Sequence, residues 1–281
     1  MSNNELLKQV EKRARQWLSP FYDEATRSEV QRMLNTEDKT ELIDSFYKDL
    51  EFGTGGLRGI MGAGSNRMNR FTLGAATQGL CNYLKKSFSD IPELKVVIGH
   101  DCRNNSRLFA ETCAGIFAAN GIRALLFEDL RPTPEMSFAI REYGCQGGVI
   151  LTASHNPPEY NGYKAYWDDG AQLVAPHDEA VIDEVLQIKH EDILFDGPKE
   201  LIIPLGEETD LKFIEMVKTV SLSPELVKKY NNIKIVYTPI HGTGVKLVPM
   251  ALRAFGFINI INVPEQDIVD GNFPTVVSPN P

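Results

Sequence analysis

Apolar residues in the first fifty positions recur every three or four residues, which is the period of an amphipathic helix. The first such stretch carries Leu6, Val10, Ala14, Trp17 and Leu18, and a second covers residues 30–34. Charged residues fill most of the positions between them. The pattern predicts a helical extension over residues 1–50 that packs on the body of the protein.

From residue 52 the pattern changes to short continuous apolar runs separated by helical segments. Three runs predict buried strands: KVVIG at 95–99, IRALLF at 122–127 and GGVIL at 147–151. Between the first two, a helix is predicted from Ser106 to Asn120, with Ser106 as its N-cap and Gly121 as a left-handed C-cap. Alternating strands and helices favour an α/β fold: a mixed, mainly parallel sheet sandwiched by helices.

The same alternation starts again in the last third of the chain. A helical stretch at 178–189 and a polar segment at 196–198 precede it, followed by predicted strands at 233–238 and 257–263 around a helix at 246–255. We therefore expect the extension (1–50), a first α/β domain (51–205) and an incomplete second domain of similar type (206–281). A break inside a domain would leave a sheet edge or an apolar face uncovered, so we expect a fragment of a longer protein.

Composition narrows the class of protein. With 281 residues and 42% hydrophobic content the chain can bury a sizeable core, and its net charge of -9 gives no chain-wide attraction to nucleic acid or anionic membranes. Its four cysteines show no CxxC spacing, and no uncharged apolar run approaches the roughly 18 residues of a membrane span. A soluble cytoplasmic protein is expected, in which any site for an anion is local.

The segment TASHNP at 152–157 follows directly on the predicted strand GGVIL. Ligands bind at the carboxyl ends of strands in open α/β sheets, so Ser154 is a candidate functional residue. A polar turn ended by Pro157 explains the same residues, and composition alone favours it. A hydrolase nucleophile is less favoured because GxSxG is absent and the adjacent Ser154 and His155 are not expected to face each other.

The segment resembles the active-site serine loop of the phosphoglucomutase and phosphomannomutase family, whose serine carries a phosphoryl group. Further segments resemble family motifs in the same order: FGTGGLRG at 52–59, GHDCRNNS at 99–106, NGYK at 161–164, YTPIHGTG at 237–244 and DGNFPTV at 270–276. The first of these is similar to the longer phosphoglucomutase and phosphopentomutase-like branch. The resemblance spans nearly everything after residue 50, and the ordered set is more specific than any single motif.

Each motif also has an ordinary structural explanation. The glycine run at 53–59 fits neither GxGxxG nor the Walker pattern, although Arg58 on such a loop can bond a phosphate with two parallel donors. Taken alone, Asp101 and Arg103 would be a surface ion pair that contributes little to stability, and Lys164 would be a solvated surface lysine. The surrounding apolar run YKAYW is expected to desolvate Lys164 partly, which would lower its pKa.

The resemblance implies a phosphoryl transfer. Phosphorylated Ser154 would give its phosphoryl group to a hexose 1-phosphate, and a bisphosphorylated sugar would return the other phosphate, interconverting glucose 1-phosphate and glucose 6-phosphate. Lys164 would act as general acid and base, while Arg58 and Arg103 hold phosphoryl oxygens. Supporting roles would fall to six loop residues: Thr54, Gly55, Asp101, His155, Asn156 and His241.

The resemblance also implies Mg²⁺, bound between the serine phosphate and a family loop of three aspartates, and a sugar 1,6-bisphosphate as activator. No DGDGDR-like run occurs here, so the aspartate ligands and the sugar-binding domains are expected in missing C-terminal segments, and the chain alone is expected to be inactive. The partner is a small-molecule sugar phosphate. Phosphomannomutase or phosphopentomutase specificity and a non-catalytic phosphosugar-binding relative remain alternatives, and a serine hydrolase is a distant third.

Overall fold

The computed structural model of the chain describes residues 3–53 and 55–280, so the predicted site residue Thr54 lies outside the described residues. The N-terminal part consists of three helices: α1 (Asn3–Gln16), α2 (Glu24–Asn35) and α3 (Thr40–Phe46). The Asp23 carboxylate caps α2 by accepting a hydrogen bond from the Thr26 backbone N–H at 2.8 Å.

These helices pack on the rest of the protein through an aromatic cluster. Trp17 stacks on Tyr22 with ring centroids 4.6 Å apart, and Tyr22 meets the edge of Phe71 at the same distance. Phe71 belongs to the first helix of the following α/β part, and it shares one buried apolar cluster with Val10 and Phe46. The helical extension is therefore packed on the body, as its apolar stripe predicts.

A six-stranded sheet forms the centre of the molecule. Its strands, numbered in chain order, are β1 (Gly56–Ile60), β2 (Lys95–His100), β3 (Arg123–Phe127), β4 (Gly147–Leu151), β5 (Tyr160–Trp167) and β6 (Ile202–Leu205). They lie in the order β1-β5-β4-β2-β3-β6, and β5 runs opposite to the other five described strands. The predicted mixed, mainly parallel sheet is confirmed.

Helices cover both faces of this sheet. They are α4 (Arg70–Ser87), α5 (Ser106–Ala119), α6 (Thr133–Glu142) and α7 (His177–Val185). Alternate residues of β2 enter different cores: Val96 and Ile98 join the cluster with α4 and α5, whereas Val97 packs with Met136 and Ile140 of α6. This alternation explains why the strands read as continuous apolar runs.

Two helix ends differ from the sequence-based prediction. The N-cap of α5 is Asn105 in a left-handed conformation (φ 63°), because the Ser106 hydroxyl instead donates to Asp101 at 2.7 Å. Gly121 does adopt the predicted left-handed conformation after the helix (φ 75°). Helix α7 ends at Val185, short of the predicted residue 189, where the chain turns and Ile188 packs against the core.

The remaining elements surround a second, two-stranded sheet. They are α8 (Glu207–Lys218), α9 (Pro224–Lys229), β7 (Ile235–Tyr237), α10 (Gly244–Phe255), β8 (Ile260–Asn262) and α11 (Pro264–Asp267). The strands β7 and β8 are parallel and shorter than predicted, since each pairs only with the other among the described strands. Val236 and Ile261 pair across them and leave one face exposed. Within the described ranges, no helix is long and apolar enough to cross a membrane.

Candidate active site

Ser154 lies in the loop that follows β4, at the carboxyl end of a central strand. Its backbone is left-handed (φ 56°), a conformation that costs a non-glycine residue roughly 1–2 kcal/mol. The Ser154 N–H donates to the Thr152 hydroxyl at 3.0 Å, which helps to hold this conformation. The side chain is exposed, so the loop presents the serine hydroxyl to the space above the sheet.

Arg103 holds this loop from below. Its guanidinium is fully buried and donates to four loop carbonyls: those of Ser154 at 3.0 Å, Pro157 at 2.8 Å, Tyr160 at 3.1 Å and Asn156. Burial lowers the pKa of Arg103, but an arginine stays charged even so. Both Nη atoms are thus used on carbonyls that an irregular loop would otherwise leave unpaired, and the expected role of Arg103 as a ligand of phosphoryl oxygens stays a prediction.

Asp101 connects Arg103 to the neighbouring strand end. One carboxylate oxygen accepts from the Arg103 N–H at 2.9 Å and from the Ser106 hydroxyl at 2.7 Å, and the other lies 3.6 Å from Arg103 Nε. The Asp101 N–H in turn donates to Leu151 at 3.0 Å. Asp101 thus fixes the end of β2 against the end of β4, next to the serine loop.

Lys164 and Arg58 lie on the same face of the sheet. In the strand register Lys164 is opposite Gly56, and Arg58 is opposite Gly162. Side chains alternate along a strand, so Arg58 and Lys164 are diagonal neighbours on one face. Partial burial lowers the pKa of Lys164, and the charge of Arg58 lowers it further while Asp101 opposes the change. The direction agrees with the expectation from the YKAYW run.

Two glycines leave room for this arrangement. Gly55 is left-handed (φ 73°), and a Cβ there would lie 2.5 Å from the Gln172 side chain. A Cβ at Gly162 would lie 2.5 Å from the Thr152 carbonyl oxygen. Side chains at these positions would displace the strands that carry Arg58 and Lys164.

His155 and Asn156 complete the loop. Arg58 Nη1 donates to Asn156 Oδ1 at 3.2 Å, and His155 Nδ1 lies 3.3 Å from Ser154 Oγ. The expectation that adjacent serine and histidine side chains do not face each other is wrong here. The left-handed backbone of Ser154 turns the two side chains to the same side.

Ser154, His155 and Lys164 border a cleft of about 410 Å³, whereas Arg58 and Asn156 are not among its lining residues. Its first wall is formed by strand ends and loops of the six-stranded sheet, including Asp101, Cys102, Arg131, Thr133, Thr152, Ser154, His155 and Lys164. Its second wall is formed by residues after α9: Pro239, Ile240, Gly242, Thr243, Gly244, Phe273 and Pro279. Arg131 and Thr133 were not predicted, although the segment RPTP begins four residues after the end of β3, in the kind of strand-end loop where ligands bind.

His241 does not line the cleft. It is buried, its Nδ1 lies 2.7 Å from the Ile268 carbonyl oxygen and its Nε2 lies 2.8 Å from the Thr275 hydroxyl. A carbonyl can only accept, so Nδ1 carries a proton and donates it to Ile268. Through these two hydrogen bonds the ring links residues behind the second wall and holds that wall in place.

The described residues do not form a magnesium site. Across residues 3–53 and 55–280, no group of three or more His, Cys, Asp or Glu side chains is placed to hold a metal ion. Asp101 is the carboxylate on the cleft wall, and both of its oxygens already face Arg103 or Ser106. Hard cations of this type need several oxygen ligands, so we assign no step to a metal here.

Comparison with known proteins agrees with this architecture. The model of phosphoglucomutase/phosphomannomutase alpha/beta/alpha domain I matches residues 49–192, and that of domain II matches residues 212–281. A phosphopentomutase of Homo sapiens is 38% identical over 278 residues, covering 95% of this chain and 45% of the relative. A phosphoglucomutase of Staphylococcus haemolyticus is 37% identical over 249 residues, covering 84% of this chain and 43% of the relative.

Further relatives differ in the activity for which they are named. A glucose 1,6-bisphosphate synthase of Homo sapiens is 35% identical over 278 residues and covers 95% of this chain and 44% of the relative. A phosphomannomutase-like structure from Thermus thermophilus superposes with a TM-score of 0.69 at 25% identity, covering 82% of this chain and 48% of that one. The chain belongs to the phosphoglucomutase/phosphomannomutase family of phosphosugar mutases. It spans less than half the length of the curated relatives named here.

Proposed function

We propose that Ser154 is the phosphoryl carrier of a phosphosugar mutase that interconverts glucose 1-phosphate and glucose 6-phosphate. The observation that carries the proposal is the exposed Ser154 hydroxyl on a braced strand-end loop, with the cations Lys164 and Arg58 on the adjoining strands. Among the described residues, no carboxylate lies at ion-pair distance from either cation. Their charge is available to an external phosphate.

In the proposed reaction, the bond between phosphorus and Ser154 Oγ breaks while a bond forms from phosphorus to a hydroxyl oxygen of the sugar phosphate. Ser154 Oγ leaves with a proton from the ammonium group of Lys164, and the amine so formed takes the proton that the sugar hydroxyl loses. Its lowered pKa makes Lys164 a better proton carrier near neutral pH than an ordinary lysine. His155, at 3.3 Å from Ser154 Oγ, is placed to orient that oxygen through a hydrogen bond.

The phosphoryl group then needs charge neutralisation along its path. Arg58 is the guanidinium on the open face, and its bond to the neutral Asn156 amide orients it without using its charge. Arg103 acts indirectly, because it holds the carbonyls of the serine loop in place. Gly55, with its carbonyl bonded to the Ala165 N–H at 2.8 Å, keeps the arginine loop beside β5.

The proposal also includes a substrate, a cofactor and protein segments that are not among the described residues. A sugar 1,6-bisphosphate would load Ser154, and Mg²⁺ would add positive charge at the transferring phosphoryl group. Its aspartate ligands and the sugar-binding parts would come from segments outside the chain. A pentose phosphate is the second candidate substrate, since relatives at 37–38% identity are named phosphopentomutase and phosphoribomutase.

The proposal is tested by activity assays on two versions of the protein. One is the 281-residue chain, and the other is extended to the full length of the relatives. Each is supplied with magnesium and glucose 1,6-bisphosphate and assayed with glucose 1-phosphate, mannose 1-phosphate and ribose 1-phosphate. We expect turnover of glucose 1-phosphate in the extended version only.

Each alternative has a distinct outcome. Comparable turnover by the short chain would overturn the expectation that other segments complete the site. A preference for ribose 1-phosphate would replace the glucose assignment by that of a phosphopentomutase. Inactivity of both versions with retained sugar phosphate binding would favour a non-catalytic relative.

A further inference from the structure

A second cluster of charges lies at the edge of the cleft, away from Ser154. The Asp210 carboxylate is fully buried and binds Arg131 through two bonds, of 2.6 Å to Nε and 3.0 Å to Nη2. Lys246 Nζ lies 2.6 Å from the same carboxylate. The Arg131 side chain is 3% exposed, whereas that of Lys246 is 40% exposed. One buried anion thus joins a buried and a half-exposed cation.

Each partner belongs to a different wall of the cleft. The Arg131 N–H donates to the His100 carbonyl at 3.1 Å, which ties it to the end of β2, and Arg131 itself lines the cleft. Lys246 lies in the first turn of α10, two residues after the segment 242–244 of the opposite wall. Asp210 lies on α8, 79 residues from Arg131 in sequence, and α8 contacts both α6 and α10.

A fourth charged residue shares this cluster. Glu135 on α6 is fully buried, and one of its carboxylate oxygens lies 3.6 Å from Arg131 Nε. Burial first, and then the neighbouring Asp210, raise the pKa of Glu135. Burial also acts to raise the pKa of Asp210, but the bonds from Arg131 and Lys246 outweigh it and the net shift is downward. Of the two carboxyl groups, Asp210 therefore carries the negative charge.

We propose that Asp210 is a positioning residue that sets the width of the cleft by tying segment 242–244 to the strand ends of the six-stranded sheet. Other contacts between the walls are smaller: Asn104 Nδ2 donates to Asn272 at 2.9 Å, and the Phe273 ring lies 5.4 Å from the Arg103 guanidinium. The Asn104 pair is exposed and uncharged, so it resists separation less than a buried ion pair does. Asp210 thus carries the principal connection between the two walls.

The cleft contains a native probe of its width. Cys102 lines one wall of the cleft, Phe273 lines the other, and Cys102 is partly exposed, whereas Cys81, Cys113 and Cys145 are buried. The rate at which a thiol reagent such as 5,5′-dithiobis(2-nitrobenzoate) modifies Cys102 therefore reports how far the walls separate. This readout does not depend on phosphoryl transfer, so its failure is distinguishable from failure of the proposed function.

The decisive variant is Asp210→Asn in the 281-residue chain, with Glu215→Gln as the matched control. Glu215 lies on the same helix and makes an exposed pair with Lys218 at 2.9 Å. We expect Asp210→Asn to raise the Cys102 modification rate about tenfold or more, since removing one member of a buried ion pair is strongly disruptive. The control should react at the rate of the unmodified chain.

Two further measurements separate positioning from general destabilisation. Hydrogen exchange should quicken at residues 241–246 in Asp210→Asn while β2 and β4 stay protected. Lys246→Met removes one arm of the connection and should give a smaller rise in Cys102 reactivity, which Lys246→Arg restores. An unchanged rate in both Asp210→Asn and Lys246→Met would overturn the proposal, and so would equal loss of protection in β2 and β4.

Discussion

The serine loop and the Asp210 cluster both concentrate charge at the cleft, but they balance it differently. At the serine loop, Arg58 bonds to a neutral amide and Lys164 makes no ion pair among the described residues. At the other cluster, the Asp210 carboxylate forms ion pairs with both Arg131 and Lys246. Unmatched positive charge on an open surface is suited to an anionic ligand, whereas matched buried charge connects parts of the protein.

Arg103 shows that charge alone does not separate the two kinds of site. It lies beneath the serine loop, yet its donors are used on backbone carbonyls and it is fully buried. Exposure and the identity of the acceptor distinguish it from Arg58. Substitutions in the serine loop and in the Asp210 cluster should therefore differ widely in their effects. The largest effect is expected from substitution of Ser154.

Replacing Ser154 by alanine should abolish mutase turnover in the version extended to full length. The variant removes the hydroxyl that we assign as phosphoryl carrier, while the loop keeps its four bonds from Arg103. Its melting temperature should stay close to that of the unmodified protein. Ser89→Ala, on the exposed surface, is the control and should retain full turnover. Substantial turnover by Ser154→Ala would return the serine to the role of a polar turn residue.

Lys164→Met should reduce turnover by about 10²-fold or more, the usual scale for loss of a general acid or base. Methionine keeps much of the side-chain length but carries no proton. Because Lys164 is only half-buried, the melting temperature should change little. The pH profile of turnover should also lose the pH dependence that titration of Lys164 causes. Near-normal turnover would make Lys164 a solvated surface lysine.

Arg103→Ala should lower the free energy of unfolding by about 3 kcal/mol or more, because it leaves several loop carbonyls without donors in a buried place. Urea unfolding monitored by circular dichroism measures the change. Arg32→Ala, which removes an exposed pair with Glu41, should change stability little. If Arg103→Ala were as stable as this control, the loop would not depend on the buried guanidinium.

Glu135→Gln tests the charge balance of the second cluster and has the smallest expected effect. The folded state binds the Glu135 proton more tightly than the unfolded chain, whose glutamate titrates near 4.5, so this residue makes stability fall as pH rises above that value. The charged groups facing it are Arg131, Asp210 and Lys246. Glutamine keeps the neutral form, so the variant should gain stability over the unmodified chain between about pH 5 and pH 7.5. The urea midpoints at the two pH values measure the gain, and a constant difference would contradict the assignment.

The buried strands and the end of α5 follow directly from local patterns in the sequence. The apolar runs at 95–99 and 147–151 are strands because they are enclosed on both faces, and Gly121 ends α5 because a left-handed residue is needed there. Ser106 is a residue type that favours the N-cap position, but Asp101, five residues earlier and outside the helix, accepts its hydroxyl hydrogen bond. Local preference failed at the point where a side chain outside the helix competed for the same group.

The site was less predictable than the fold for the same reason. The motifs single out Ser154, Lys164 and Arg58, which strand order and alternation bring into one region: Ser154 follows β4, Lys164 lies within β5 and Arg58 lies within β1. The acceptors of Arg103 lie 51 to 57 residues away, in a loop whose shape depends on the left-handed Ser154. Arg131 and Asp210 are 79 residues apart and belong to no shared motif. Such contacts are set by tertiary packing rather than by local sequence.

The most direct test of the central claim is to locate phosphate on the protein. The 281-residue chain and its full-length version are incubated with glucose 1,6-bisphosphate and magnesium, and the phosphorylated residue is identified by intact mass and peptide mapping. We predict one phosphoryl group on Ser154 of the full-length version, and none there in Ser154→Ala. Phosphate found consistently on another residue, or a full-length protein that turns over sugar phosphates while Ser154 stays unmodified, would contradict the account.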